Sequence, residues 1–151
     1  MLPTRPTRAP DAHLTLALVL AVPVWAALGL MAGPVMYVPS GWTAWISFAL
    51  AYPVVEELLF RGILQGEALR LTTKNGRTLH VGPVSLANVI VTVAFVALHL
   101  PAQPPGWALA VAVPSLIFGH LRERFASVWP SALMHAVYNG GFGLTAWLAS
   151  R

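Results

Sequence analysis

With 57% hydrophobic and only 9% charged residues in 151, the chain cannot dress a water-facing surface, since soluble domains carry about 25% charged residues. The absence of cysteine excludes disulfides, thiolate metal sites and cysteine nucleophiles, so any catalysis rests on oxygen and imidazole groups. The net charge of +4 and pI near 10.4 do not mark a nucleic-acid binder, because Lys and Arg sit at the ends of apolar runs, where a membrane protein meets anionic lipid.

Residues 1–13, with Arg5 and Arg8 among prolines and threonines, have no apolar period and read as a flexible cytoplasmic leader. Leu14 to Tyr37 reads as a first span, a retained signal anchor, because the apolar stretch exceeds that of a cleaved signal and further spans follow. Trp42 to about Leu64 is a second span, interrupted by Pro53, Glu56, Glu57 and Arg61. The polar stretch Glu67 to His80 then leaves the membrane. Val81 to Leu100 is a third span, closed by the breaker Pro101-Ala102-Gln103-Pro104-Pro105-Gly106. Trp107 to about Leu121 is a fourth and Val128 to Leu148 a fifth. The expected fold is therefore all-α, an integral membrane bundle of about five transmembrane helices forming a single domain over 14–151.

Basic residues precede span one, lie between spans two and three (Arg70, Lys74, Arg77) and between spans four and five (Arg122, Arg124); the other two loops have none. This alternation predicts a protein of the cell membrane with its N-terminus inside and its C-terminus outside, with only Arg151 dissenting. Trp42, Trp45, Trp107, Trp129 and Trp147 fall near span ends, where indoles anchor at the headgroup level. Gly62 and Gly66 read as small residues that let helices approach closely.

An ionisable residue at mid-span costs about 2.5 to 3.5 kcal/mol on insertion scales, so it faces a bundle interior, a partner or a watery cavity. Two of the five acidic residues, Glu56 and Glu57, are adjacent inside an apolar run. Helix geometry turns them apart by about 100°. Glu57 stands at i to Arg61 at i+4, the favourable order for an ion pair along one face, which gives Glu57 a structural role. Glu56 then points elsewhere, unpaired, and a desolvated carboxylate suits a general base near neutral pH. His99 closes span three. His135 and Asn139 project from one face of span five, a suitable pair for an oxyanion or a bound carbonyl. His13, His80 and His120 fall in leader, loop and helix-end settings and read as solvated.

Glu56-Glu57-x-x-x-Arg61, Phe95-x-x-x-His99 and His135-x-x-x-Asn139, in that order and in separate spans, resemble the CPBP family of intramembrane proteases. That family includes the type II CAAX prenyl endopeptidases, bacteriocin-processing and immunity proteins, and lysostaphin-resistance-protein-A-like proteins. The resemblance covers roughly 49–143, and the run from Phe118-Gly119 through Ser127, Trp129-Pro130-Ser131 to His135 extends it. It implies that Glu56 activates a water with help from His99, that Glu57 holds Arg61, and that His135 and Asn139 stabilise the oxyanion. Many relatives have about eight spans; small members such as the myxosortase-like proteases, which process C-terminal sorting signals of exported proteins, are similar to this chain. The implied partners are the lipid bilayer and a membrane-associated or exported protein substrate. Zinc is coordinable in principle through Glu56, His99 and His135, but Asn139 beside His135 suits an oxyanion better than a metal, so no cofactor is expected.

Two other readings compete: a catalytically idle immunity or partner-binding membrane protein, and a proton or ion conductor that uses the buried carboxylates. The boundaries also set a problem of depth. Glu56 lies about 20 Å from the outer end of span two at 1.5 Å per residue, whereas His99 stands at the outer end of span three. Bringing them together requires either a re-entrant Pro-rich segment after His99 or boundaries shifted by a turn.

Overall fold

The computed structural model describes residues 11–32 and 37–151, so most of the expected leader and the stretch 33–36 at the end of the expected first span lie outside it. Helix α1 spans Ala12–Ala32. It begins before Leu14 because the Asp11 carboxylate accepts the His13 and Leu14 backbone N–H groups at 3.0 and 3.2 Å, satisfying donors that a helix start leaves free.

Helix α2 runs unbroken over Gly41–Thr72, eight residues beyond the expected end. Glu67 and Arg70 pair along its exposed face, so polarity in this stretch does not stop the helix. Two segments of α2, Ser47–Ala51 and Leu58–Leu64, are wound as π-helix: Tyr52 N–H reaches back five residues to Ser47 O, and Gln65 N–H to Phe60 O. Two short antiparallel hairpins follow, β1 (Thr73–Lys74) with β2 (Arg77–Thr78), and β3 (His80–Val81) with β4 (Val84–Ser85). Their turns use Gly76 and Gly82, both at positive φ, a region that only glycine enters freely.

The β3–β4 hairpin corrects the third span. Helix α3 is Leu86–His99, because Gly82-Pro83 makes a turn and Ser85 caps the helix by accepting the Asn88 N–H at 3.0 Å. The fourth span is corrected too. It divides into α4 (Pro105–Ala110) and α5 (Ala112–Phe125), since Pro114 has no N–H to continue the ladder onto Ala110. Helix α6, Trp129–Ala149, lies within one residue of the expected fifth span.

Two helices, Ala12–Met31 and Gly41–Thr72, are long and apolar enough to cross a membrane by length and composition. The expected count of five such spans is therefore not met. Helices α3 and α5 have 14 residues each, about 21 Å at 1.5 Å per residue, against a hydrocarbon core of about 30 Å. Helix α6 has the length, but Ser131, His135, Asn139 and three glycines dilute its apolar character.

Helix α6 is the centre of the packing, with α1, α2 and α5 against it and α3 against α5. Its Ser131, Ala132, Met134 and His135 are buried. Of the two glycines read as packing positions, a Cβ on Gly66 would meet nothing and one on Gly62 would meet Val128 at 3.7 Å. The close approaches fall instead on Gly29, against Thr145, on Gly119, against the Asn88 side chain, and on Gly141 and Gly143, against the Trp25 and Trp45 rings.

Candidate active site

Glu57 and Arg61 are both fully buried, and Arg61 Nε donates to Glu57 Oε2 at 3.1 Å, as their spacing on one helix face leads one to expect. The other carboxylate oxygen has a second partner. His135 Nδ1 lies 3.0 Å from Glu57 Oε1, and since a carboxylate only accepts, the His135 proton on this side is on Nδ1. Glu57 thus joins α2 to α6 and holds the imidazole, a role beyond the structural pairing expected of it.

The ring of His135 is clamped from both sides. Phe118 stacks on it at 4.8 Å and 20°, and Phe95 meets it edge-on at 6.1 Å. The remaining nitrogen, Nε2, faces Glu56, whose Oε2 is 3.9 Å away. Glu56 is 36% exposed against 0% for Glu57, so Glu57 is a buried, fully bonded carboxylate, whereas Glu56 is accessible and not the desolvated carboxylate expected. Glu56 differs from the expectation in having His135 within reach.

His99 is tied by Nδ1 to the Phe95 carbonyl at 2.8 Å. The carbonyl only accepts, so Nδ1 carries a proton and Nε2 is free of this bond. Phe95 also meets Phe60 at 4.9 Å and lies under the Arg61 guanidinium at 5.6 Å. Helices α2 and α3 are antiparallel: backbone bonds from Leu79 to Thr72 and from Leu86 to Leu79 join the end of one to the start of the other. One turn beyond Phe95 on α3 therefore corresponds to one turn before Phe60 and Arg61 on α2. This places His99 along the stretch of α2 that carries Glu56 and Glu57. The segment after His99 does not leave the bundle: Ala108 of α4 is buried and Trp107 packs edge-on against Phe142 of α6 at 6.2 Å.

Asn139, one turn after His135, donates through Nδ2 to the Phe48 carbonyl at 3.0 Å. It shares a helix face with His135 but does not bond to it; the two residues grip α2 at successive levels.

Behind the ion pair runs a chain of hydrogen bonds that the sequence reading did not single out. Arg61 Nη2 donates to Ser115 Oγ at 2.8 Å, Ser115 and Thr92 hydroxyls are 2.9 Å apart, and Thr92 Oγ1 lies 3.4 Å from Asn88 Oδ1. Arginine has only donors, so Ser115 accepts from Arg61; Thr92 has one hydroxyl hydrogen and gives it to Asn88 Oδ1, which leaves Ser115 as the donor to Thr92. Asn88 Nδ2 in turn donates to Leu116 O at 2.9 Å. One turn below Arg61, the buried Gln65 donates to Gly119 O at 3.0 Å and to Glu123 Oε1 at 2.7 Å. A signal was present in the spacing: Glu57, Arg61 and Gln65, and separately Asn88 and Thr92, are polar residues four apart in apolar runs, the mark of one helix face turned inward.

Among the described residues, no group of three or more His, Asp and Glu side chains has the arrangement of a metal site. The ligands considered for zinc, Glu56, His99 and His135, bring only Glu56 and His135 within 4 Å, and Nδ1 of His135 is engaged by Glu57.

Residues 38–141 match the family described as Rce1-like, type II CAAX prenyl endopeptidase Rce1-like. No curated protein and no solved structure matches the chain.

Proposed function

The chain belongs to the Rce1-like family of type II CAAX prenyl endopeptidases, and from this premise we propose that it is an intramembrane endopeptidase that hydrolyses a peptide bond of a membrane-associated or exported protein. The observation that carries the reading is the His135 imidazole fixed by buried Glu57 through Nδ1 while Nε2 faces the accessible Glu56.

In this reaction the Glu56 carboxylate takes a proton from water, assisted by the unprotonated Nε2 of His99, and the resulting hydroxide attacks the carbonyl carbon. Negative charge gathering on the carbonyl oxygen is met by the Asn139 amide and by His135 Nε2, which donates when the ring is an imidazolium. The proton held by Glu56 passes to the leaving amine as the C–N bond breaks. Glu57, Arg61 and Phe118 hold the imidazole still, so little reorganisation is required as charge develops.

The substrate class we favour is the C-terminal sorting signal of an exported protein, as in the small myxosortase-like members. The protein would lie in the cell membrane with the basic end of the bundle, bearing Arg70, Lys74, Arg77, Arg122 and Arg124, in the cytoplasm. A conducting role for the same carboxylates is opposed by Arg61, a permanent donor in the middle of the buried chain that cannot relay a proton. The test begins with a strain lacking the gene. A polypeptide accumulating there with an uncleaved C-terminus, and cut by the purified protein in detergent, supports the reading; unchanged processing of all membrane and exported proteins overturns it.

A further inference from the structure

One backbone carbonyl of α2, that of Phe48, cannot be satisfied by the helix itself. In an α-helical turn Phe48 O would accept from Tyr52 N–H, but that N–H is given to Ser47 O, one residue further back. In the π-helical register that follows, Phe48 O would accept from residue 53, and residue 53 is proline, which has no N–H. Both intrahelical donors are therefore missing at one carbonyl, and Asn139 Nδ2 fills the place at 3.0 Å. Pro53 is fully buried.

We infer that Pro53 is a positioning residue for Asn139: by withholding an N–H in a π-helical turn it leaves Phe48 O as the acceptor that orients the Asn139 amide. The consequence is directional. A carbonyl can only accept, so the amide must present Nδ2 to Phe48, which fixes its rotamer and the orientation of its second N–H. An unanchored asparagine would turn freely, with Oδ1 facing the developing oxyanion part of the time, an orientation that repels the charge. The π-helical winding and the proline thus act together, one withdrawing the Tyr52 donor and the other the donor after it. Such turns recur at functional sites in helices.

This inference rests on the oxyanion role proposed for Asn139, and its test separates the two. The chain has three asparagines, Asn75, Asn88 and Asn139, so protein labelled with 15N at asparagine alone gives three side-chain amide pairs. In detergent-solubilised wild type, one proton of the Asn139 pair should exchange slowly with solvent and the other fast. In Pro53→Ala the restored N–H supplies Phe48 O from within the helix, and the Asn139 pair should move to free-amide shifts and lose its slow proton while Asn75 and Asn88 stay in place. Cleavage by that variant should lose about 100-fold in kcat, the scale of an oxyanion donor removed or misplaced, with KM unchanged. An Asn139 pair unaltered by the substitution overturns the inference. A released amide with full kcat overturns both the positioning role and the oxyanion role. If Pro53→Ala does not fold, the wild-type protein alone decides: two fast-exchanging Asn139 protons contradict the anchor. A wild type without peptidase activity defeats the proposed function while the amide signals still judge the anchor.

Discussion

Glu57 Oε1 and His135 Nδ1 stand 3.0 Å apart although 78 residues separate them in the chain. The contact joins the ion pair of one helix to the histidine of another, so a single buried carboxylate serves both Arg61 and His135. Replacing Glu57 by Gln should therefore have two effects that separate under a second substitution. Stability should fall, since leaving a buried cation unpaired costs about 3 to 5 kcal/mol. Adding Arg61→Gln should recover part of that loss. Cleavage should not recover, because His135 has still lost its charged partner. The measurement is a double-mutant cycle on solubilised protein, followed by unfolding midpoint and turnover; recovery of both together would show that Glu57 serves Arg61 alone.

Ser115 touches no substrate atom in the proposed reaction, yet it accepts from Arg61 Nη2 and is fully buried. Ser115→Ala leaves that donor unpaired and should cost about 1 to 3 kcal/mol, read as a lowered unfolding midpoint, while Ser115→Thr keeps the hydroxyl and should cost less. Thr92→Val removes the next acceptor in the chain. Its loss and that of Ser115 should be less than additive, since each breaks the same run of bonds. Strict additivity would mean that the hydroxyls act separately.

Gly141 lies where a Cβ would collide with the Trp25 ring of α1. Gly141→Ala should destabilise the protein by about 1 to 3 kcal/mol as the ring is forced aside. A smaller residue at position 25 should relieve the clash, so Gly141→Ala with Trp25→Leu should be more stable than Gly141→Ala alone. Thermal unfolding of the three variants decides; no relief would mean that the glycine is required for another reason.

What could be read from the chain was what helix geometry alone fixes. Glu57 and Arg61 at i and i+4 pair as read, His135 and Asn139 share a face, and α6 begins and ends within a residue of its reading. Other features depended on contacts that no local pattern encodes. The reach of His135 to Glu57 crosses 78 residues. The π-helical turns of α2 leave no simple periodic trace, so the Phe48 carbonyl freed by Pro53 was out of sight. The third span was overdrawn because an apolar run hid the Gly82-Pro83 turn and the Ser85 cap, and the fourth because hydrophobicity was read across Pro114. The overdrawn third and fourth spans, together with a fifth whose length holds but whose apolar character is diluted by Ser131, His135, Asn139 and three glycines, gave a count of five crossing helices where two have the required length and composition.

Arg70, Lys74, Arg77, Arg122 and Arg124 lie at one end of the bundle, where Arg124 also pairs with Asp11 at 2.8 Å and so holds the start of α1 beside the end of α5. That end should face the cytoplasm. A reporter active only outside the cytoplasm should give signal when fused after Ser150 and none when inserted between Arg70 and Arg77; the reverse pattern would invert the orientation.

The most direct test of peptidase activity by Glu56 is a replacement that keeps shape and removes the proton acceptor. Strains lacking the gene, carrying it intact, or carrying Glu56→Gln at matched membrane abundance are compared by mass spectrometry of the C-termini of membrane and exported proteins. The account predicts that the polypeptide left uncleaved in the deletion strain is equally uncleaved with Glu56→Gln and is cut in the strain with the intact gene. Full processing by Glu56→Gln would contradict it.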